Sequence, residues 1–385
     1  MIYFAKPSIS KLEIKNINKV LKTGILTDGY FQNKTSELIK NKINSNFVAL
    51  TQSCTDGLEL AASLINLKKG DEVIMPSFTF TSTANAVVLK GANPVFVDIN
   101  PGDLNINVDK VEKLITKKTK AIFVVHYGGN CIDLKKILKL KKKYKLFLIE
   151  DAAHSFLSKY KKKFAGTIGD IGVFSFHETK NLVAGQGGAI SVNNRKLIKR
   201  ANYLLDKGTD RIDFLKNYKK QFISEKIKSK KKYYSWVDTG SEYRASELSS
   251  ALIYSQIQRY KKIYSARRKI WKKYFNYLRK LNNKNIQLLT NNKESKNVYH
   301  LFAFKVKNYK LARKLRIFLQ EKKIPATFHY VPLHSSKFGK KFKRGEMKVT
   351  QQIWKKLIRL PLYPDLKENE VNKTLILIKK FFKKN

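Results

Sequence analysis

Between residues 47 and 195, short apolar runs alternate with helical stripes, and few folds accept that pattern. Phe47–Leu50 reads as a strand, and Thr55–Ile65 carries a helical stripe of Leu58, Ala61, Ala62 and Ile65. Glu72–Met75 is a strand ended by Pro76, Thr83–Lys90 a helix and Pro94–Asp98 a strand. Val108–Ile115 is amphipathic. Ala121–Val125 is apolar throughout, as a strand covered on both faces should be. Leu134–Lys143 reads as a helix, and Leu146–Ile149, Gly172–Phe176 and Ala189–Val192 as strands. The expected fold class is α/β, a mostly parallel sheet with helices on both faces.

After Arg195 the character changes. Leu197–Asp206 is helical, 207–240 is basic and aromatic without clear periodicity, and Arg244–Leu278 carries long helical patterns. Beyond about residue 290, strand-like stretches (Leu301–Val306, Ala326–Tyr330) alternate with helices (Lys310–Lys322, Glu368–Phe382). This predicts a large α/β domain over 1–255 and a smaller α+β domain over 256–385, joined within a long helix spanning roughly 245–280.

The net charge of +50 invites a nucleic-acid reading. The lysines, however, are spread over nearly every helix, with only small clusters at Lys141–Lys143, Lys161–Lys163 and Lys230–Lys232. No recognition helix, aromatic RNA-binding signature or zinc finger accompanies them. The expectation is nonspecific attraction at low salt, no specific nucleic-acid binding, and a surface that draws in an anionic, phosphate-bearing substrate. No run of eighteen apolar residues predicts a membrane span. Met1–Pro7 lacks a charged-then-apolar leader. Cys54 and Cys131 make neither a disulfide framework nor a metal knuckle, and the six histidines lack metal-ligand spacing. No metal is expected, and a reducing cytoplasm fits the cysteine usage.

Parallel sheets bind ligands beyond the carboxyl ends of their strands. Polar groups fall there repeatedly: Ser53–Thr55, His126–Tyr127, Asp151 and Ser175. Lys180 stands in Phe174-Ser-Phe-His-Glu-Thr-Lys-Asn181, after a strand and before the turn Gly185-Gln-Gly-Gly188. Glu150-Asp-Ala-Ala-His154 ends another strand. A positioned lysine and a strand-end carboxylate are what a pyridoxal phosphate enzyme needs. The amine forms a Schiff base with the cofactor, and the carboxylate pairs with the protonated pyridine nitrogen. A lysine taken at random from this chain would be a solvated charge; its position sets Lys180 apart. Asp151 reads either as a pyridinium partner or as a helix N-cap, and His154 is placed to reach a ring oxygen. Ser53 and Thr55 precede a helical stripe, as an ordinary cap or as a phosphate site. Phe80 suits core packing or stacking on a planar ring. Ser175 is a plain strand serine or a phosphate ligand.

The combination resembles the DegT group of nucleotide-sugar aminotransferases. The resemblance runs essentially end to end. It rests on Gly70–Ser77, Thr79–Asn85, Val97-Asp98, Val125-His-Tyr-Gly128, Glu150-Asp-Ala-Ala153, Gly169-Asp-Ile-Gly172, Phe174–His177, Lys180-Asn181, Phe328–His334 and Leu360-Pro-Leu-Tyr363. It implies the type I, aspartate aminotransferase-like fold with pyridoxal 5'-phosphate on Lys180. It also implies Asp151 at the pyridine nitrogen, His154 at the ring oxygen and Phe80 stacked on the ring. Ser175, with the Cys54–Thr55 backbone, would cradle the phosphate. The implied substrates are L-glutamate and a nucleotide-linked 4-keto-6-deoxy sugar, with dTDP-4-dehydro-6-deoxy-D-glucose expected first; the alternatives are a UDP-linked or 3-keto nucleotide sugar, or a non-catalytic basic binding protein of the same fold, and the implied assembly is a homodimer with shared active sites. Related deoxysugar dehydratases carry His where Lys180 stands, which argues against that chemistry. Two positions depart from the family pattern: Gln186 replaces a Glu in the glycine turn, and Glu242 stands where an Asn often precedes Tyr-Arg. A carboxylate beside a phosphate is unfavourable, so Glu242 carries no phosphate-binding role.

Overall fold

The computed structural model describes residues 2–215 and 233–384. The Lys230–Lys232 cluster and the middle of the 207–240 segment lie outside the described residues. A seven-stranded sheet forms the centre. Its strands are β1 (Val48–Thr51), β2 (Glu72–Pro76), β3 (Asn93–Val97), β4 (Thr119–Val125), β5 (Phe147–Asp151), β8 (Ile171–Ser175) and β9 (Gly188–Val192). A short hairpin, β6 (Lys159–Tyr160) and β7 (Lys163–Phe164), intervenes between β5 and β8. The order across the sheet is β1-β9-β8-β5-β4-β2-β3. The pairings β2–β3, β2–β4, β4–β5 and β5–β8 are parallel, whereas β9 runs antiparallel to both β8 and β1. The mostly parallel sheet is therefore borne out, with β9 the reversed strand.

Two helices precede the alternating region: α1 (Lys11–Thr23) and α2 (Tyr30–Ile43). Ser10 and Glu13 form a capping box at the start of α1. Helices α3 (Cys54–Leu64), α4 (Thr81–Val88), α5 (Leu134–Tyr144) and α6 (Ile198–Leu205) flank the sheet. Val108–Lys110 and Glu112–Leu114 form two 3-10 turns rather than the single amphipathic helix the pattern suggests. The Arg244–Leu278 pattern divides at Arg259 into α7 (Glu247–Gln258) and α8 (Tyr260–Leu281).

One apolar core lies on each face of the central sheet; Leu148 and Phe174 mark one, Ile149 and Val173 the other. A third core joins Ile270, Tyr274 and Leu278 of α8 to Phe302, Phe304 and Leu315, and Ile2 packs there too. Its sheet is β10 (Ile286–Leu288), β12 (Phe302–Val306) and β13 (Leu357–Leu360), in the order β10-β12-β13. Strand β11 (Ser295–Lys296) instead extends the β6–β7 hairpin. Helices α9 (Tyr309–Glu321), α10 (Lys348–Lys356) and α11 (Glu368–Lys384) complete this part. Ala326–Tyr330 does not form the expected strand: only Thr327 bridges, to Arg359. Pro325 and Pro332 bracket the segment and remove ladder donors at both ends.

Asp98, just beyond β3, ties the central sheet to the start of α10. Its buried carboxylate accepts from the amides of Ile99, Val349 and Thr350, from the Thr350 hydroxyl at 2.6 Å, and from Lys110. Burial works to raise its pKa, but the bonds from Thr350, Val349 and Ile99 outweigh it and hold the carboxyl below the usual range. A depressed folded-state pKa contributes stability above the unfolded value, and that contribution disappears as pH falls through the folded value. Asp98→Asn is expected to lower unfolding free energy at neutral pH by about 2–4 kcal/mol. Urea titrations at neutral pH and near pH ~4 should show the gap to the unsubstituted protein closing on the acid side.

Candidate active site

Beyond the carboxyl ends of β1, β5 and β8 lies a cavity of about 590 Å³, within the range of small-molecule sites. Lys180, Asp151, His154, Ser175, Cys54, Thr55 and Phe80 all line it. The structure thus brings these seven residues to one place, whereas His126 and Tyr127, at the end of β4, do not line the cavity.

Strand alternation separates the two neighbouring acids of β5. Glu150 points away from the cavity, accepting from His126 Nε2 at 2.9 Å and from the amides of Gly166, Ile168 and Gly169. Burial raises the Glu150 pKa, yet His126 and these amides bring it below the ordinary carboxylate value. It is a fully satisfied anchor for the 166–169 loop. Asp151 faces the cavity. One oxygen accepts from the Thr83 hydroxyl at 2.8 Å and the other from the Ala153 amide at 3.1 Å. The Thr79 hydroxyl contacts Thr83 in turn. Burial nevertheless keeps the Asp151 pKa above its usual value. No basic side chain forms an ion pair with it among the described residues, so a cationic ring nitrogen would supply what it lacks.

Lys180 follows β8 in a turn held by Lys180 N–H to His177 carbonyl and Glu178 N–H to Gly185 carbonyl. Gly185 adopts φ +73 there, a left-handed conformation that disfavours side chains. Gln186 is accommodated in this turn and lines the cavity. Burial lowers the pKa of the Lys180 amine; Cys54 and Asp151 raise it, and Arg359 depresses it. A larger share of neutral amine at working pH favours a nucleophile or base.

Helix α3 begins at the cavity wall. Ser53 caps it by accepting the Asp56 amide at 3.1 Å, so the ordinary cap is real. The Ser53 hydroxyl is committed to Asp56, but the amides of Cys54 and Thr55 have no acceptor among the described residues. Thr55 and Ser82 hydroxyls meet at 2.8 Å beside them. A Cβ at Gly188 would lie 2.4 Å from the Ser53 carbonyl carbon, so only glycine lets β9 approach this helix start. Free amides at a helix start, with hydroxyls on Thr55 and Ser175, suit a phosphate.

His154 accepts the Gly128 amide at Nδ1 and meets the Tyr330 hydroxyl at Nε2. That network puts its proton on Nε2. Its ring stacks on His300 at 4.2 Å. Burial first, then Lys180, His329 and Arg359, hold it neutral, well below the ordinary histidine pKa. Phe80 caps α4 and is 60% exposed, 6.4 Å from the Tyr330 ring. It lies at the cavity mouth rather than in a core. Glu242 pairs with Lys207, which offsets its charge.

Sequence reasoning did not single out Thr83, Arg267, His300 or Arg359, all of which line the cavity. Arg359 carried a signal: a lone cation inside Leu357–Leu362, otherwise apolar, is anomalous for a strand. Thr83 carried none, because its value comes only from meeting Asp151.

The chain matches, over residues 7–378, the DegT/DnrJ/EryC1/StrS aminotransferase family. An uncharacterized protein of Methanocaldococcus jannaschii is 33% identical over 99% of this chain and 97% of its own length. The GDP-perosamine synthase of Escherichia coli O157:H7 is 29% identical over 95% of this chain and 94% of its own. Among solved structures, a putative sugar aminotransferase of Streptococcus pneumoniae in its PLP form superimposes with a TM-score of 0.88 at 23% identity, covering 100% of this chain and 99% of that one. Aminotransferases of this family depend on pyridoxal phosphate. The unpaired Asp151 carboxylate, the Lys180 amine and the free amides of α3 fit that cofactor's three functional ends. Thr83→Val is expected to raise the Asp151 pKa further and weaken cofactor retention about tenfold. Equilibrium dialysis should show a larger loss toward acid pH, where more of the carboxyl is protonated.

Proposed function

The chain belongs to the DegT/DnrJ/EryC1/StrS aminotransferase family, and on that premise we propose that it moves an amino group from L-glutamate to C4 of a nucleotide-linked 4-keto-6-deoxy sugar. The acceptor we propose is dTDP-4-dehydro-6-deoxy-D-glucose, giving dTDP-4-amino-4,6-dideoxy-D-galactose. One observation carries the transaminase reading: a buried carboxylate with no cationic partner among the described residues and a partly buried lysine, its amine held below the usual pKa first by desolvation, line the same cavity. Pyridoxal phosphate, when bound, supplies an electron-accepting ring for chemistry at the α-carbon of the amino donor.

The chain's own residues divide the remaining work. Asp151, oriented by Thr83 and the Ala153 amide, would hold a proton on the pyridine nitrogen. Lys180 Nζ would hold the aldehyde end of the cofactor and, as a free amine, would accept and return a proton at the donor α-carbon. The amides of Cys54 and Thr55, with Ser175, would bind the phosphate. His154 would serve the ring oxygen through Nε2, and Phe80, at the cavity mouth, would stack on the ring.

The stretches Ser53–Thr55, His177–Asn181 and His329–His334 resemble those of transaminases that act on dTDP-4-dehydro-6-deoxy-D-glucose, and that resemblance supports the dTDP-linked acceptor. A relative named for a GDP-linked product makes GDP-4-keto sugars the competing class. We further propose a homodimer with shared active sites, as the family resemblance implies; a fully active monomer in sedimentation would overturn that part. Incubating dTDP-, UDP- and GDP-linked 3-keto and 4-keto sugars with L-glutamate, with NMR of the products, tests the acceptor. Amination of a dTDP-4-keto sugar is expected, and turnover of the GDP-linked series alone would reject it. Lys180→Ala is expected to abolish turnover and the visible absorbance of the bound cofactor. Asp151→Asn should fold normally yet lose most of kcat, so unchanged kinetics in either variant would refute the assignment.

A further inference from the structure

Lys305 stands on β12, the middle strand of the small sheet, and is 4% exposed. Strand alternation puts it on the face of Ala303, toward the apolar cluster of Ile353 and Leu357 and away from Phe304 and Val306. A lysine in such a row is disfavoured unless something answers its charge. Its Nζ donates to the Pro101 carbonyl at 2.6 Å, and no carboxylate pairs with it among the described residues. Gln287 lies directly opposite on β10. Burial first, and then the charge of Lys356, keeps the Lys305 amine below its usual pKa.

That lysine lines a second cavity, of about 480 Å³, between Pro101 beyond β3 and the elements β10, β12 and α10. It shares no lining residue with the active-site cavity. Lys284, Lys307 and Lys356 line it too, and none of the three forms an ion pair among the described residues. No acidic and no aromatic side chain lines it among those residues either. Elsewhere on the surface, Lys110, Lys143 and Lys273 each pair with a carboxylate. Four cations converging on one concavity repel one another until an anion enters. Lys305 Nζ has three donors and gives one to Pro101, so donors remain for that anion. A lysine ammonium is a compact point charge, suited to phosphate oxygens. With no ring to stack on a base, the cavity favours a small inorganic anion over a nucleoside. The side-chain amides of Gln287 and Gln352 add neutral donors.

We propose that this cavity is an anion site for inorganic diphosphate, with Lys305 as its buried anchor and Lys284, Lys307 and Lys356 around its rim. The proposal goes beyond the transaminase reading and does not depend on it. A lysine that served only to pin Pro101 would account for Lys305 but not for three further unpaired lysines in the same wall.

The test uses the cofactor-loaded protein at an ionic strength of about 0.15 M, where attraction between exposed charges is screened within about 8 Å. Calorimetric titrations with inorganic diphosphate, orthophosphate and dTDP compare the unsubstituted protein with Lys305→Met and Lys356→Gln. A control carries Lys162→Gln with Lys163→Gln, which removes two exposed lysines elsewhere. Diphosphate should bind saturably and more tightly than orthophosphate. Lys305→Met and Lys356→Gln should each weaken it about tenfold or more, and the control should stay within about twofold. Diphosphate should also raise the Tm of the unsubstituted and control proteins but not that of Lys305→Met. Lys356→Gln decides the matter if the Met variant does not fold. Absence of saturable diphosphate binding would overturn the proposal. So would equal losses in Lys305→Met and the control, which would mean a diffuse field. A Lys305→Met protein with lowered Tm and unchanged diphosphate affinity would reduce Lys305 to a structural role and reject the site. Binding of dTDP should be indifferent to Lys305→Met; a matching loss of dTDP affinity would assign the cavity to a nucleotide and overturn the inorganic ligand.

Discussion

The burial of Asp151 without a cation governs this site. A carboxylate at the end of a central strand is strongly disfavoured when it stands alone. Two hydrogen bonds from Thr83 and Ala153 reduce that cost but leave its pKa raised. Lys180 has the complementary problem: burial depresses its amine, and the nearby charge of Arg359 depresses it further. Arg359 in turn has no anion of its own among the described residues. These groups face one cavity in a state that only bound ligands complete. Such pre-organised, unsatisfied charge is the electrostatic pattern of a catalytic site rather than of a structural ion-pair network.

The scaffold keeps that strain away from the rest of the fold. Glu150, one residue before Asp151, is equally buried but fully satisfied by His126 and three loop amides. It fixes the 166–169 loop against the end of β5 and so supports β8, from which Lys180 emerges. Antiparallel β9 closes on the start of α3 only because Gly188 has no side chain. That contact places the free amides of Cys54 and Thr55 on the same side of the sheet as Lys180. Asp98 performs the corresponding task between the central sheet and the start of α10 and, through that helix, for the region of β13 that carries Arg359.

Much of the large sheet was legible because its strands are apolar throughout and end in polar residues. Lys180, Asp151, His154, Ser175, Thr55 and Phe80 stood out as candidates by position, since ligands gather beyond strand ends; the role of Cys54, and the choice of a cofactor role over a cap, core or plain-strand role for Thr55, Phe80 and Ser175, came with the family resemblance. Other features were not legible. Ala326–Tyr330 has strand composition, yet flanking prolines leave it a single bridge. Val108–Ile115 has a helical stripe, yet it settles into two 3-10 turns. Thr83 looks like any residue in the first turn of a helix.

The sequence by itself determined the strand–helix alternation, the placement of a lysine and a carboxylate at strand ends, and the absence of an 18-residue apolar run. Those are local properties, written in periodicity and in the residues that end each run. Only the tertiary structure decided which of the paired acids faces the cavity, because Glu150 and Asp151 are told apart solely by the face of β5 that each occupies. It also decided that Arg359, some 180 residues from Lys180 in the chain, stands in the same cavity wall with no counter-ion among the described residues. Burial and pairing of charge depend on what the rest of the chain places nearby, and no local pattern encodes that.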